Sequence, residues 1–284
     1  MSQKKIKQTV GECPLCKNVS SLADSHIIPQ GCYRRIAFGE KSLVNIVKDT
    51  AILSQRQLKT KLLCHACEDR FNKFGERYFL LHCLQPDGSF PAFTRASLGS
   101  HALKLIGGDS GYWKADDVAI DYRKIAYFAA SLFWRTFVAK SKVDRSISLE
   151  LDPSASEALR ALLNRENDEI PGIMIKVDLI ERIAGRSLDH RYCFGLPQEI
   201  PQHNFGPGLR FYTSEALGFA FTMTTTTDPE LVSAMHTNCL IHNPDHPIFI
   251  SQGMQQATFA RQAAFVQKST PTEHLRAYNE THGH

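Results

Sequence analysis

Two cysteine pairs, Cys13-Pro14-Leu15-Cys16 and Cys64-His65-Ala66-Cys67, bracket the segment Asp24-Ser25-His26-Ile27-Ile28-Pro29. A Cys-x-x-Cys turn brings two thiolates onto one ion, and two such turns complete the four-sulfur tetrahedral shell that zinc prefers. One structural zinc on Cys13, Cys16, Cys64 and Cys67 is therefore expected. Disulfides are the competing use of paired cysteines. The chain opens polar and basic, Met1-Ser2-Gln3-Lys4-Lys5-Ile6-Lys7, without an apolar leader, so the expected compartment is the reducing cytoplasm, where paired thiols bind metal. Cys32, Cys83, Cys193 and Cys239 show no ligand spacing and read as ordinary half-buried residues.

The residues between and after the pairs have the chemistry of phosphodiester hydrolysis, which needs a base near the attacking water and a cation near the leaving oxygen. His26 titrates near neutral pH and is the candidate base. A hard cation such as Mg²⁺ or Mn²⁺ takes oxygen ligands, which makes Glu68 a candidate ligand. If a helix begins at the second pair, Glu68, Asn72 and Glu76 follow at i, i+4 and i+8 and form a stripe of oxygen donors. On an extended strand Asp24 shares a face with His26, while Ser25 points away, so Asp24 is a further candidate acid. Each residue also has a plain structural reading: His26 as a hydrogen-bonded group or extra zinc ligand, Glu68 as a favourable acid in a first helical turn, Glu76 as part of a solvated face.

In its order of parts, residues 10–80 resemble the HNH nuclease family: a Cys-x-x-Cys pair, a His ending a strand before Ile-Ile-Pro, and a second Cys-x-x-Cys opening a helix. This is a Ser-His-Ile-Ile-Pro variant of that pattern. Ser25 stands where the family usually has Asp or His, Lys59 where it has Asn, Glu68 where it has His or Asn, and Phe71 where it has Lys. The resemblance implies a zinc-bound ββα-metal, treble-clef-like module that hydrolyses DNA with a divalent cation. His26 would be its base and Glu68 its cation ligand, with Asn72 or Asp24 assisting. A nuclease joined to a second unit would suit defence against foreign DNA. Two other uses stay open: a catalytically degenerate HNH scaffold that binds nucleic acid without cutting it, and a regulatory protein whose zinc module docks a partner.

Charge favours a nucleic-acid partner, DNA before RNA. Up to His82 there are 14 Lys and Arg against 7 Asp and Glu; the rest of the chain holds 19 against 22, so the net charge of +4 conceals a basic front third. Arg34, Arg35, Lys59 and Lys61 are the candidate phosphate contacts, and Tyr33 a candidate for stacking on a base.

The elements that must position these groups can be read coarsely. Residues 1–83 form the zinc module. Residues 84–121, punctuated by Pro86, Gly88, Pro91, Gly99, Gly107, Gly108 and Gly111, read as a connector of loops with one or two short strands. From Tyr122 to about Lys140 an apolar run predicts a mostly buried helix, too short in its apolar part to cross a bilayer. Ser154-Ala155-Ser156-Glu157 has capping-box spacing and predicts a second helix. Strands are expected at 173–179, 191–195, 209–213, 219–225 and 248–250, a short helix at 229–234, and a closing helix at 255–267. His236, His242 and His246 fit no metal-ligand template. The expected class is α+β, with residues 122–284 as a larger domain that could hold a protein partner or a second copy of the chain.

Overall fold

A computed structural model describes residues 9–36, 43–47, 50–54, 57–98, 111–114, 120–143, 149–168, 170–180, 194–200, 208–232 and 247–251. The chain is α+β. Its front part is a three-stranded antiparallel sheet in the order β1-β2-β5, from β1 (Val10–Glu12), β2 (Val19–His26) and β5 (Lys59–Cys64). Between β2 and β5 the chain makes α1 (Gln30–Ile36) and a separate hairpin of β3 (Leu43–Val47) and β4 (Thr50–Ser54). The run after β5 is helical from His65 to His82: α2 (His65–Phe71), a π turn (Asn72–Glu76) and α3 (Arg77–His82). Strand, strand and helix therefore follow in the ββα order.

The segment expected as a loop-rich connector holds a helix, α4 (Pro91–Leu98), and a strand, β6 (Gly111–Lys114). Pro91 suits the first helical position, where its missing N–H costs nothing. β6 joins a six-stranded sheet, order β6-β11-β7-β10-β9-β8, made with β7 (Ile173–Ile180), β8 (Phe194–Ile200), β9 (Leu209–Ala216), β10 (Phe219–Thr226) and β11 (Pro247–Ser251). All its neighbours are antiparallel except β11 and β7. Leu217 and Gly218, both at positive φ (46° and 86°), turn β9 into β10 as a two-residue hairpin. A Cβ on Gly218 would sit 2.8 Å from the Phe90 ring, so the turn is seated against the segment before α4.

Two helices precede the large sheet. α5 (Tyr122–Val143) is buried on every side from Ile125 to Thr136, which a helix tolerates only when it is enclosed. It packs on the π turn, on α3 and β5, and on β7 of the large sheet. Gly75 permits the closest approach: a Cβ there would meet the Phe128 backbone nitrogen and the Tyr127 ring at 3.0 Å. α6 (Pro153–Asn164) starts as expected, but the capping side chain is Asp152, which accepts from the Ser154 N–H at 2.8 Å, rather than Ser154. Arg165 ends it in the left-handed conformation.

The buried side chains on both sides of residues 84–121 belong to one continuous hydrophobic cluster that runs from Cys13 to Met223. Within it Phe79 of α3 stacks on Phe128 of α5, and the Phe219 and Phe221 rings of β10 meet them tilted or edge-on. The strand expected at 191–195 is described as β8 from Phe194 on and continues to Ile200, because Gly195 and Pro197 fall at an irregular register against β9 rather than ending the strand. The short helical turn at 229–232 is present. No helix among the described residues is long and apolar enough to cross a membrane. The closing helix at 255–267 and His236, His242 and His246 lie outside the described residues.

Candidate functional site

The first cysteine pair sits in the turn joining β1 to β2. Cys13 accepts from the Lys17 N–H at 2.8 Å and donates to the Asn18 carbonyl at 2.9 Å through their backbones, with Lys17 at φ 63°. The second pair joins β5 to α2: Cys64 is the extended residue before the helix and Cys67 lies in its first turn. A helix N-terminus favours negative charge, so thiolate is stabilised there. All four sulfurs lie within 4.8 Å of one another. The Cys16 and Cys64 sulfurs are 3.8 Å apart, the edge of a tetrahedron whose metal–sulfur arms are about 2.3 Å long. The Cys64 N–H donates to the Cys13 sulfur at 3.4 Å. Without a cation the sulfurs must share protons: the Cys67 thiol donating to Cys13 pulls Cys13 down to about 4, while that same bond raises Cys67 and burial raises Cys16. The four cysteines thus form a cluster that can hold a metal ion, and its donor set and size suit zinc. α6 braces it from outside, with Arg160 donating to the Leu15 carbonyl at 2.9 Å.

His26 ends β2. Its ring Nε2 lies 2.7 Å from the Oε1 of Gln57, just ahead of β5. With the amide oxygen as the acceptor, Nε2 donates in this bond, and Nδ1 is left out of it. Gln57 was not singled out from the sequence. Its only signal there is position, two residues before the strand that pairs with β2.

The register of β2 on β5 sets His26 opposite Lys59 and Asp24 opposite Lys61, so these four residues share one face of the sheet. Ser25 points the other way and is buried, its hydroxyl accepting from the Leu63 N–H at 2.9 Å. That face carries one imidazole and two lysines. Asp24, half-exposed, is bound to Lys61 at 3.1 Å, an ion pair one rung away from His26.

The expected oxygen stripe is altered by the π turn. Glu68 and Glu76 converge on the guanidinium of Arg135, which α5 inserts between them, while Asn72 stands on the exposed side of the helical run. Glu76 is therefore not part of a solvated face. Glu68 Oε2 is 3.6 Å from Arg135; Oε1 is buried and has no hydrogen-bond partner among the described residues. A buried carboxylate oxygen without a partner is costly, and a cation or ordered water relieves it. Glu68 thus fits the role of a ligand to a hard cation through Oε1. Phe71, buried, lies under Arg135 with its ring 4.5 Å from the guanidinium carbon.

The basic residues divide. Arg34 and Lys59 are exposed, and Lys61 is half-exposed beside Asp24. Arg35 turns inward, donating to the Leu80 carbonyl at 2.6 Å and to Gln85 at 2.7 Å, where it closes the end of α3 rather than facing solvent. Tyr33 is buried, its hydroxyl accepting from the Leu58 N–H at 3.1 Å and pushed up to about 12 by burial, so it offers no stacking surface. Its ring lies 6.3 Å from that of His26 and walls the site. His65 is exposed, and Cys32 and Cys83 are fully buried rather than half-buried. Comparisons of the chain with protein-family models, curated proteins and solved structures returned no match.

Proposed function

We propose that this chain is a zinc-stapled, HNH-type nuclease that hydrolyses DNA phosphodiester bonds with a divalent cation, Mg²⁺ or Mn²⁺. The observation that carries this reading is the His26–Gln57 hydrogen bond at 2.7 Å at the end of a strand whose same face bears Lys59 and Lys61. Gln57 holds the Nε2 proton and orients the ring. Nδ1 is then free to take a proton from water as the water oxygen attacks phosphorus and the bond to the leaving oxygen breaks. Lys59, the cross-strand neighbour of His26, and Arg34 bring positive charge to the phosphates. Glu68 would hold the cation, which when bound would neutralise charge on the leaving oxygen. Cys13, Cys16, Cys64 and Cys67 would hold the zinc that fixes β2 and β5 relative to α2.

One observation favours a second reading. Glu68 and Glu76 already flank the guanidinium of Arg135, so the site has a cation of its own, and a scaffold that only binds nucleic acid would need no other. Cleavage of supercoiled plasmid by the full chain separates the two. With Mg²⁺ or Mn²⁺ the wild type should nick the plasmid, and His26→Ala should lose about 10²–10⁴-fold in rate. Nicking that persists in His26→Ala would remove His26 as the base. Salt-dependent binding without cleavage in either protein would establish the second reading.

A further inference from the structure

Arg135 lies in the middle of α5 and is only 1% exposed. Burying a guanidinium is costly unless its N–H groups find acceptors; here the two terminal nitrogens do, while Nε has no hydrogen-bond partner among the described residues. Arg135 donates to the backbone carbonyl of His26 at 3.2 Å, meets Glu76 Oε1 at 2.5 Å and Glu68 Oε2 at 3.6 Å, and rests on the Phe71 ring. One side chain from outside the ββα unit thus touches the strand end that carries the candidate base and the helix that carries the candidate cation ligand.

The distances rank its partners. Glu76 takes the close contact, so Glu68 is the weaker partner, and its Oε1 has no hydrogen-bond partner among the described residues. Two carboxylates against one guanidinium leave one negative charge in the cluster. The carbonyl contact fixes the last residue of β2, and with it the direction from which the imidazole enters the site.

We propose that Arg135 is a positioning residue, which sets the cation affinity of Glu68 and the placement of His26, so that α5 supplies part of the site from outside the ββα unit. The role of His26 in this inference rests on the nuclease reading; the control of cation affinity does not. Two substitutions then act in opposite directions. Arg135→Met removes the positive charge that lies 3.6 Å from Glu68, so cation binding tightens while the strand end is released. Glu76→Gln frees the guanidinium to pair with Glu68, so cation binding weakens.

The test uses the full chain with its cysteine cluster loaded with zinc. Bound and free Mn²⁺ are measured by electron paramagnetic resonance, and folding is followed by near-ultraviolet circular dichroism. Arg135→Met should bind Mn²⁺ about tenfold more tightly than wild type, and Glu76→Gln about tenfold more weakly. Plasmid nicking at saturating Mn²⁺ should fall about 100-fold in Arg135→Met and recover in part in Arg135→Lys. A residue that merely held the fold would lose affinity and turnover together. If Arg135→Met does not fold, Glu76→Gln carries the test, since the isosteric amide keeps the packing. Folded Glu76→Gln with Mn²⁺ affinity within about twofold of wild type overturns the proposal. So does a wild type that binds no Mn²⁺ beyond its cysteine cluster. Affinities that shift as expected in a protein that cuts nothing would support the proposal and remove the nuclease reading instead.

Discussion

Cys67 and Glu68 are neighbours in the first turn of α2, yet they belong to clusters of different construction. The four sulfurs come from two tight turns, each closed by its own backbone hydrogen bonds or helix start, and need only β2 and β5 to meet. The carboxylate–guanidinium cluster is assembled from β2, α2, the π turn and α5, and its central charge arrives from a residue 109 positions after His26. The first is a set of sulfurs that can hold a metal ion, local in origin. The second is a packed ion cluster whose geometry depends on how α5 lies against the π turn. Gly75, which lets the backbones approach, is as much a part of it as the charges are.

The sharpest way to break this comparison is to remove the metal. A structural zinc site contributes about 10–16 kcal/mol of folding free energy, and the core is continuous from Cys13 to Met223. Chelation, or Cys13→Ser, should therefore abolish cooperative unfolding of the front sheet and loosen α5 with it, read as loss of near-ultraviolet dichroism from Trp134. An unchanged spectrum would show that the staple is dispensable.

A separate acidic side chain shows what partial burial does to a carboxylate that has no charged partner among the described residues to offset it. Glu215 on β9 has Gly195 and Ala220 as cross-strand neighbours, and burial alone pushes it up to about 7. The folded chain then keeps a proton that the unfolded chain releases near 4.5, so Glu215's contribution to folding stability is fully present below pH 4.5 and is lost as pH rises through 7. Between pH 4 and pH 8 the wild type should lose up to about 3 kcal/mol relative to Glu215→Gln, measured by urea unfolding at both pH values. Equal pH dependence in the two proteins would mean that Glu215 titrates as it does in water.

The smallest effect is expected at the π turn. Gly75→Ala places a methyl 3.0 Å from the Phe128 backbone nitrogen, which should cost about 1–3 kcal/mol and shift Mn²⁺ affinity without changing the metal content of the cysteine cluster. Loss of both metals together would mean that the two clusters are one.

Much of the front module was legible because its signals are local. Cys-x-x-Cys turns, a strand ending at His26 and a helix starting after Cys64 need only neighbouring residues to form. The buried helix at 122–143 was legible from an apolar run too continuous for a surface helix. Other features were not. Arg35 and Lys61 look alike in a basic stretch, but one caps α3 and the other faces Asp24. Tyr33 beside Arg34 reads as a stacking residue until α1 turns its ring inward. Glu68, Asn72 and Glu76 at spacing four predict one stripe on an α-helix; the π turn adds a residue to the winding and leaves Asn72 outside. Gln57 carries no motif at all.

The sequence by itself determined the α+β class and the four-cysteine cluster, because turn spacing and apolar periodicity are properties of short segments. Only the tertiary structure decided that His26 is oriented by Gln57, that Glu68 and Glu76 share Arg135, and that the front and rear of the chain have one core. Those contacts join residues tens to a hundred positions apart, and their energy lies in packing and desolvation, which no local pattern encodes.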